Sequence, residues 1–219
     1  VLKAVFPDIQ LPESLWHFTE LDGDDGSVYV CHRPRFGSQG FDLFIPQSSK
    51  ETLQRQLESA VEKVDGSLVR ESDCELARIE AGIPKMGIDM TSEQLVQETG
   101  LTPSVISFSK GCYIGQEVIS RIRTVGKVNK SLLRLAFDAV PNLDSDSVHV
   151  LKVEGKDAGF VTSLAAVSGH DPKIHGLGYV KRPYLEGDAS FTLGETETSK
   201  VKIEIIGDPS PTGFFSQNA

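Results

Sequence analysis

The most informative stretch of this chain is Lys110-Gly111-Cys112-Tyr113-Ile114-Gly115-Gln116-Glu117, where a loop with two glycines leads into a helix. Apolar residues recur at helical spacing directly after it, which predicts a helix over 116–125. Cys112 therefore precedes a helix N-terminus and lies two residues from Lys110, and both the helix dipole and a nearby cation favour a thiolate over a thiol. These local features fit an inert, buried cysteine equally well. Cys112 and Lys110 are the candidate catalytic residues.

The sequence before this stretch predicts strands and helices in alternation. Short strands are expected over 27–30 and 40–45, followed by a helix that begins with the capping-box spacing of Ser48 and Glu51 and ends near Gly66. A second helix is predicted from Ser72 to Gly82, and a short third helix over 91–100. These elements predict an α/β part.

The sequence after Lys130 instead predicts strands at intervals of about ten residues, as in a small antiparallel barrel. The expected strands are 132–137, 148–153, 159–163, 176–180, 190–193 and 201–206. We therefore expect three parts: an α/β part over 1–129, a C-terminal β-barrel over 130–207, and a flexible tail over 208–219.

Composition narrows the classes of function. The 219 residues include 31 acidic and 22 Lys or Arg side chains, for a net charge of −9, so the chain lacks the basic footprint of a nucleic-acid-binding protein. No apolar run is long enough for a membrane helix, and no metal site is expected. Three widely spaced cysteines favour a reducing compartment. The start at Val1, within what reads as a domain interior, predicts that an N-terminal portion is missing.

Four segments carry a resemblance to a known family. Besides 110–117 they are 40–46 (GFDLFIP), 77–84 (ARIEAGIP), and 159–163 (GFVTS) together with 178–180 (GYV). The chain resembles the folate-binding iron-sulfur cluster assembly proteins, the YgfZ-like family, which are relatives of the glycine cleavage T-protein, an aminomethyltransferase. The resemblance implies an α+β fold, with a ferredoxin-like, T-protein-type part followed by a small antiparallel β-barrel. It also implies a cavity for tetrahydrofolate.

The resemblance further implies roles for single residues. Glu80 matches the acidic residue that faces the pterin ring of folate, where a carboxylate accepts two hydrogen bonds from the amino-pyrimidine edge. Arg121 would meet the glutamate tail of folate, and Tyr113 and Gln116 complete the expected cofactor-binding residues. The alternatives are that Glu80 only completes a solvated helix end and that Arg121 is an ordinary surface arginine.

Three hypotheses about function follow. The first is a tetrahydrofolate-binding accessory protein for iron-sulfur cluster assembly or repair, in which Cys112 is a functional thiol and the partners are folate and iron-sulfur client or assembly proteins. The second is a folate-dependent aminomethyltransferase, which the resemblance disfavours because the T-protein lacks the Lys-Gly-Cys arrangement. The third is an interaction module with a buried Cys112. The expected location is the cytoplasm, or the mitochondrial matrix in a eukaryote, with no nucleic acid or membrane as ligand.

Overall fold

The chain has two compact units, Val1–Cys74 and Glu75–Ala219, each with its own hydrophobic core. The computed structural model describes residues 1–23, 25–33, 35–36, 40–101, 105–124, 126–137, 149–166, 174–185, 189–193 and, for the backbone, 203–206. The expected tail over 208–219 lies outside these residues. The division of the chain at 129/130 stays a prediction.

The first unit contains a three-stranded antiparallel sheet and two helices. Its described elements, in chain order, are α1 (Leu2–Val5), β1 (Phe18–Leu21), β2 (Val28–His32), β3 (Phe41–Phe44) and α2 (Lys50–Glu62). The sheet order is β1-β2-β3. Val30 and Leu53 are buried in the core of this unit, so one sheet face and one face of α2 pack together. The strands and the helix expected here are observed.

The predicted capping box of α2 is wrong. Ser48 lies in a short 3₁₀ helix, Gln47–Ser49, and Ser49 is the residue that precedes α2. The Ser49 hydroxyl is hydrogen-bonded to Asp25 Oδ2 at 3.3 Å and makes no side-chain cap of the helix. Pro46 explains the shift, because its fixed φ starts the extra turn before α2 begins.

The second unit contains two further helices and a six-stranded antiparallel sheet. Its described elements are α3 (Glu71–Glu80, which begins just before the unit boundary), α4 (Gln116–Thr124), β4 (Lys130–Phe137), β5 (His149–Val153), β6 (Lys156–Ala166), β7 (Ile174–Lys181), β8 (Thr192–Leu193) and β9 (Ile203–Ile206). All six expected strands are present. Two antiparallel sheets with helices confirm a mixed α/β class.

The sheet of the second unit has the order β8-β5-β6-β7-β4-β9. Within the described residues, no pairing joins β8 to β9, so the closure of this sheet into a barrel stays a prediction. Close strand contact depends on two glycines. A Cβ at Gly159 would lie 2.0 Å from the Tyr179 carbonyl oxygen, and a Cβ at Gly178 would lie 2.7 Å from that of Phe160.

The predicted short helix over 91–100 is replaced by a single 3₁₀ turn, Val96–Glu98. Leu95 has an extended backbone (φ −73°, ψ 138°), which ends any helix begun at Thr91. The Thr91 hydroxyl and amide both bond to Gln94 Oε1, at 2.8 and 2.7 Å. The cap-like signal at Thr91 and Gln94 is therefore real, but the turn it forms does not continue into a helix.

A buried guanidinium links α3 to the sheet of the second unit. Arg78 is 6% exposed. It donates from Nε to Glu75 Oε2 (2.9 Å) and from Nη1 to Asp89 Oδ2 (2.7 Å). It also donates from Nη1 to the Ile83 carbonyl oxygen (3.0 Å) and from Nη2 to Ser163 Oγ (2.8 Å). The buried positive charge is thus paired with two carboxylates and hydrogen-bonded on three nitrogens.

Asp89, which is 1% exposed, is the central hydrogen-bond acceptor of this network. Its Oδ1 accepts hydrogen bonds from the hydroxyls of Thr162 and Ser163, and its Oδ2 accepts one from the Lys85 amide at 2.9 Å. The Tyr179 hydroxyl donates to the Asp89 carbonyl oxygen at 2.9 Å, and burial raises the pKa of this tyrosine, which keeps the donor proton in place. The network joins α3, the 83–90 loop, β6 and β7.

We expect Arg78→Met to lower the free energy of unfolding by about 3–5 kcal/mol, because it leaves Asp89 as an uncompensated buried charge. The double variant Arg78→Met/Asp89→Leu removes both charges and should lose less than the single variant. Urea denaturation monitored by circular dichroism measures both. A single variant within about 1 kcal/mol of the wild type would show that the pair is not a main support of the fold.

Candidate functional site

Glu80 is the last residue of α3, and two backbone hydrogen bonds cap the end of this helix. The Ile83 amide donates to the Arg78 carbonyl oxygen (2.9 Å) and the Gly82 amide to that of Ile79 (3.0 Å), which is the Schellman arrangement. Gly82 has φ +71°, a conformation that glycine adopts at low cost. The helix end therefore holds the backbone of Glu80 in one place.

Two cationic or ionisable side chains of the sheet contact Glu80. Arg134 of β4 donates from Nη1 to the Glu80 carbonyl oxygen at 2.8 Å, and His175 Nδ1 of β7 lies 3.4 Å from Glu80 Oε1. The three line a small cavity of 90 Å³, together with Ile79, Leu135 and Gly176. The Glu80 side chain is 45% exposed, so its carboxylate is partly open to solvent. The sequence analysis named Glu80 as a candidate residue, and it named neither of these two neighbours; the role of Glu80 stays a prediction.

Cys112 lies in the loop before α4 and is exposed. This exposure rules out the alternative in which Cys112 is buried. Lys110, also exposed, donates from its amide to Ser107 Oγ at 3.2 Å, and its ammonium lies 4.9 Å from the centre of the Tyr113 ring. The observed partner of this cation is thus an aromatic ring. A thiolate at Cys112 stays a prediction.

Tyr113 and Gln116 flank the turn into α4. The Gln116 amide donates to the Tyr113 carbonyl oxygen at 3.2 Å, and Gly115 between them has φ +86°, which explains the second glycine of the segment. The Tyr113 hydroxyl oxygen is buried and has no hydrogen-bond partner in the part of the chain that the structure describes. Gln116 is half-buried at the start of the helix.

Arg121 lies on α4 and is exposed. It lines an open surface cavity of 370 Å³ together with Val118, Ile122 and Gly126. The candidate residues therefore form two groups: Lys110, Cys112, Tyr113, Gln116 and Arg121 in and after the loop, and Glu80 on α3. No hydrogen bond, ion pair or ring contact between described residues joins the two groups.

Two general features complete the description of the site. Among the described residues, no three His, Cys, Asp or Glu side chains lie close enough together to hold a metal ion. Within the same residues, none of the helices is both long and apolar enough to cross a membrane.

Several known proteins are similar in sequence to parts of the chain, although no protein-family model matches it. The tRNA-modifying protein YgfZ of Yersinia enterocolitica is 38% identical over 99 residues, which are 44% of this chain and 29% of that protein. An iron-sulfur cluster assembly factor IBA57 homolog, mitochondrial, of Neurospora crassa is 33% identical over 110 residues (48% and 25%). An aminomethyltransferase of Rubrobacter xylanophilus is 27% identical over 180 residues (82% and 46%).

One solved structure defines the class of fold. The glycine cleavage system aminomethyltransferase T from Bartonella henselae matches 90% of this chain and 53% of its own chain, with a TM-score of 0.65 and 16% identity. The chain thus has the aminomethyltransferase fold. Its named relatives confirm the resemblance found in the sequence: the chain is related to the YgfZ-like family, itself related to the T-protein superfamily. It spans less than half the length of each of the three relatives named.

Glu75, the partner of Arg78 on α3, makes the stability of the fold depend on pH. A hydrogen bond from Arg78, with Lys85 as a second donor, lowers the pKa of Glu75 from 4.5 to about 2. Because the folded-state pKa is the lower one, Glu75 stabilises the fold fully above pH 4.5, and this stabilisation disappears as the pH falls toward 2.

We therefore expect Glu75→Gln to be less stable than the wild type at neutral pH. The difference should shrink as the pH falls from 4.5 to 2, where Glu75 itself becomes neutral. Urea unfolding at a series of pH values measures the difference. A difference in stability that stays constant over this pH range would show that Arg78 and Lys85 do not stabilise the charged form of Glu75.

Proposed function

We propose that this chain is the folate-facing part of an accessory protein for iron-sulfur cluster assembly or repair, and that Cys112 is its functional thiol. The name of the fungal relative refers to iron-sulfur cluster assembly, and the name of the bacterial relative refers to tRNA modification. The observation that carries the proposal is the exposure of Cys112 within the segment 110–117, which first indicated the family. Tetrahydrofolate is the cofactor and an iron-sulfur protein the partner.

The chemistry of a single exposed thiol supports an accessory role. Thiolates are the usual protein ligands of iron-sulfur clusters, and ordinary clusters need four of them. Cys31 and Cys74 are both half-buried, whereas Cys112 is exposed. Cys112 can thus contribute one ligand to a cluster, or meet one cysteine of a client, while a partner supplies the rest. The cluster is cargo in this proposal.

The chemistry of Glu80 supports folate as the ligand. A carboxylate accepts two hydrogen bonds from an amino-pyrimidine edge, and Glu80 offers a half-exposed carboxylate on a backbone fixed by the end of α3. Preorganisation of this kind lowers the entropic cost of binding. Glu80 would bind the pterin, and Arg121, Tyr113 and Gln116 would contact the rest of the molecule.

Aminomethyl transfer is the second candidate. The Rubrobacter aminomethyltransferase aligns with 82% of the chain, more than the YgfZ and IBA57 relatives do. In this alternative the protein transfers the methylene carbon of an aminomethyl-lipoyl carrier to tetrahydrofolate. The products are methylene-tetrahydrofolate, ammonia and the free lipoyl thiol, and Cys112 has no role. Tests of Cys112 therefore separate the two candidates.

The folate part of the proposal predicts that Glu80→Gln weakens tetrahydrofolate binding roughly 10- to 100-fold, because the variant loses the charge and one of two acceptors. Isothermal titration calorimetry on the full-length protein measures the dissociation constant. Glu62→Gln is the matched control, since Glu62 is the last residue of α2 and is likewise exposed. Equal affinity of the Glu80 variant and the control would refute folate recognition by Glu80.

The thiol part predicts that Cys112→Ala in the full-length protein lowers the activity of a cluster-dependent enzyme in cells. Complementation of a deletion strain with each variant at matched expression level measures this effect. Cys31→Ala and Cys74→Ala are the controls and should retain wild-type activity. Full activity of the Cys112 variant would remove the role that we assign to the thiol and would leave aminomethyl transfer as the better candidate.

A further inference from the structure

We propose that His175 is a positioning residue for Glu80: the imidazole holds one carboxylate oxygen on the sheet side, so that the other oxygen faces the ligand. The proposal rests on the folate-binding role proposed above for Glu80. It adds to the site a residue of β7 that the sequence patterns did not indicate.

The first support is the geometry of the pair. His175 Nδ1 lies 3.4 Å from Glu80 Oε1, and the His175 side chain is 25% exposed against 45% for Glu80. The histidine side chain is therefore the more buried of the two. Its neighbours across the sheet are Ala136 on β4 and Ala165 on β6, which offer no polar side chain. Arg134 and Glu80 are the charged side chains that share its cavity.

The second support is the size of the cavity behind the carboxylate. At 90 Å³ it is far below the roughly 300–1,000 Å³ of pockets that enclose small-molecule ligands. A pterin must therefore approach Glu80 from the exposed side. No partner of Glu80 Oε2 is found among the described residues, whereas Oε1 faces His175. The residues that line this cavity, among them His175, thus lie behind Glu80, on the side away from the approaching ligand.

The third support is that the backbone of Glu80 is fixed separately from its carboxylate. Arg134 binds the carbonyl oxygen at 2.8 Å, and its side chain packs against Gly82, where an added Cβ would lie 3.2 Å from Arg134 Cδ. With the backbone fixed, the remaining freedom of Glu80 lies in its side-chain torsions. His175 is the described side chain placed to restrict them.

A double-mutant cycle on the full-length protein tests the proposal, with tetrahydrofolate affinity measured by calorimetry. We expect His175→Leu to weaken binding about fivefold, the effect of losing one partly exposed pair. His175→Asn places an amide N–H near the position of Nδ1 and should retain affinity within about twofold. In a Glu80→Gln background, His175→Leu should cause no further loss. His149→Leu, on β5 of the same sheet, is the control.

Each outcome decides the matter. In one outcome, Glu80→Gln weakens binding, and His175→Leu weakens it by the same factor in the wild-type and in the Glu80→Gln background. His175 then does not act through Glu80 and the proposal fails, while folate recognition by Glu80 stands. If Glu80→Gln has no effect, both fail. Loss of affinity in His175→Asn equal to that in His175→Leu also overturns the proposal. His175→Ala replaces the leucine variant if thermal unfolding shows that the latter does not fold.

Discussion

The ion pair between Arg78 and Asp89 is the interaction on which the second unit depends. Both side chains are almost completely buried, at 6% and 1% exposure, and charges in such a place are tolerated only when they are paired and hydrogen-bonded. The pairing extends to Glu75 on α3 and to Ser163 on β6. A change in any one partner therefore disturbs both the helix and the sheet.

This pair also sets the position of the candidate folate residue. Arg78 lies two residues before Glu80, and its guanidinium binds the carbonyl oxygen of Ile83 beyond the helix end. The neighbouring Ile79 is 1% exposed in the core. The backbone of α3 thus cannot turn about its axis without breaking the buried network. Glu80 consequently lies beside the neighbouring strands β4 and β7, where Arg134 and His175 contact it.

Local signals predicted much of this fold, because alternating and helical periodicity reflect burial directly. The six strands after Lys130 and the end of α3 at Gly82 are examples. The short helix over 91–100 was mispredicted, since a cap at Thr91 does not show that Leu95 is extended. His175 was missed for a different reason: its link to Glu80 spans 95 positions and is created by the pairing of β7 with β4 and β6.

The motif segments that indicated the family have different physical meanings. Segments 159–163 and 178–180 supply close-packed glycines and the hydroxyls that bind Asp89, so they encode the fold. The segment 77–84 does the same through Arg78 and Gly82, and Glu80 is its one exposed residue. The segment 110–117 differs, because Cys112 is exposed and takes no part in the buried network. Packing thus explains the resemblance in segments 159–163 and 178–180 and most of that in 77–84, so these segments point to a shared fold and not by themselves to a shared function.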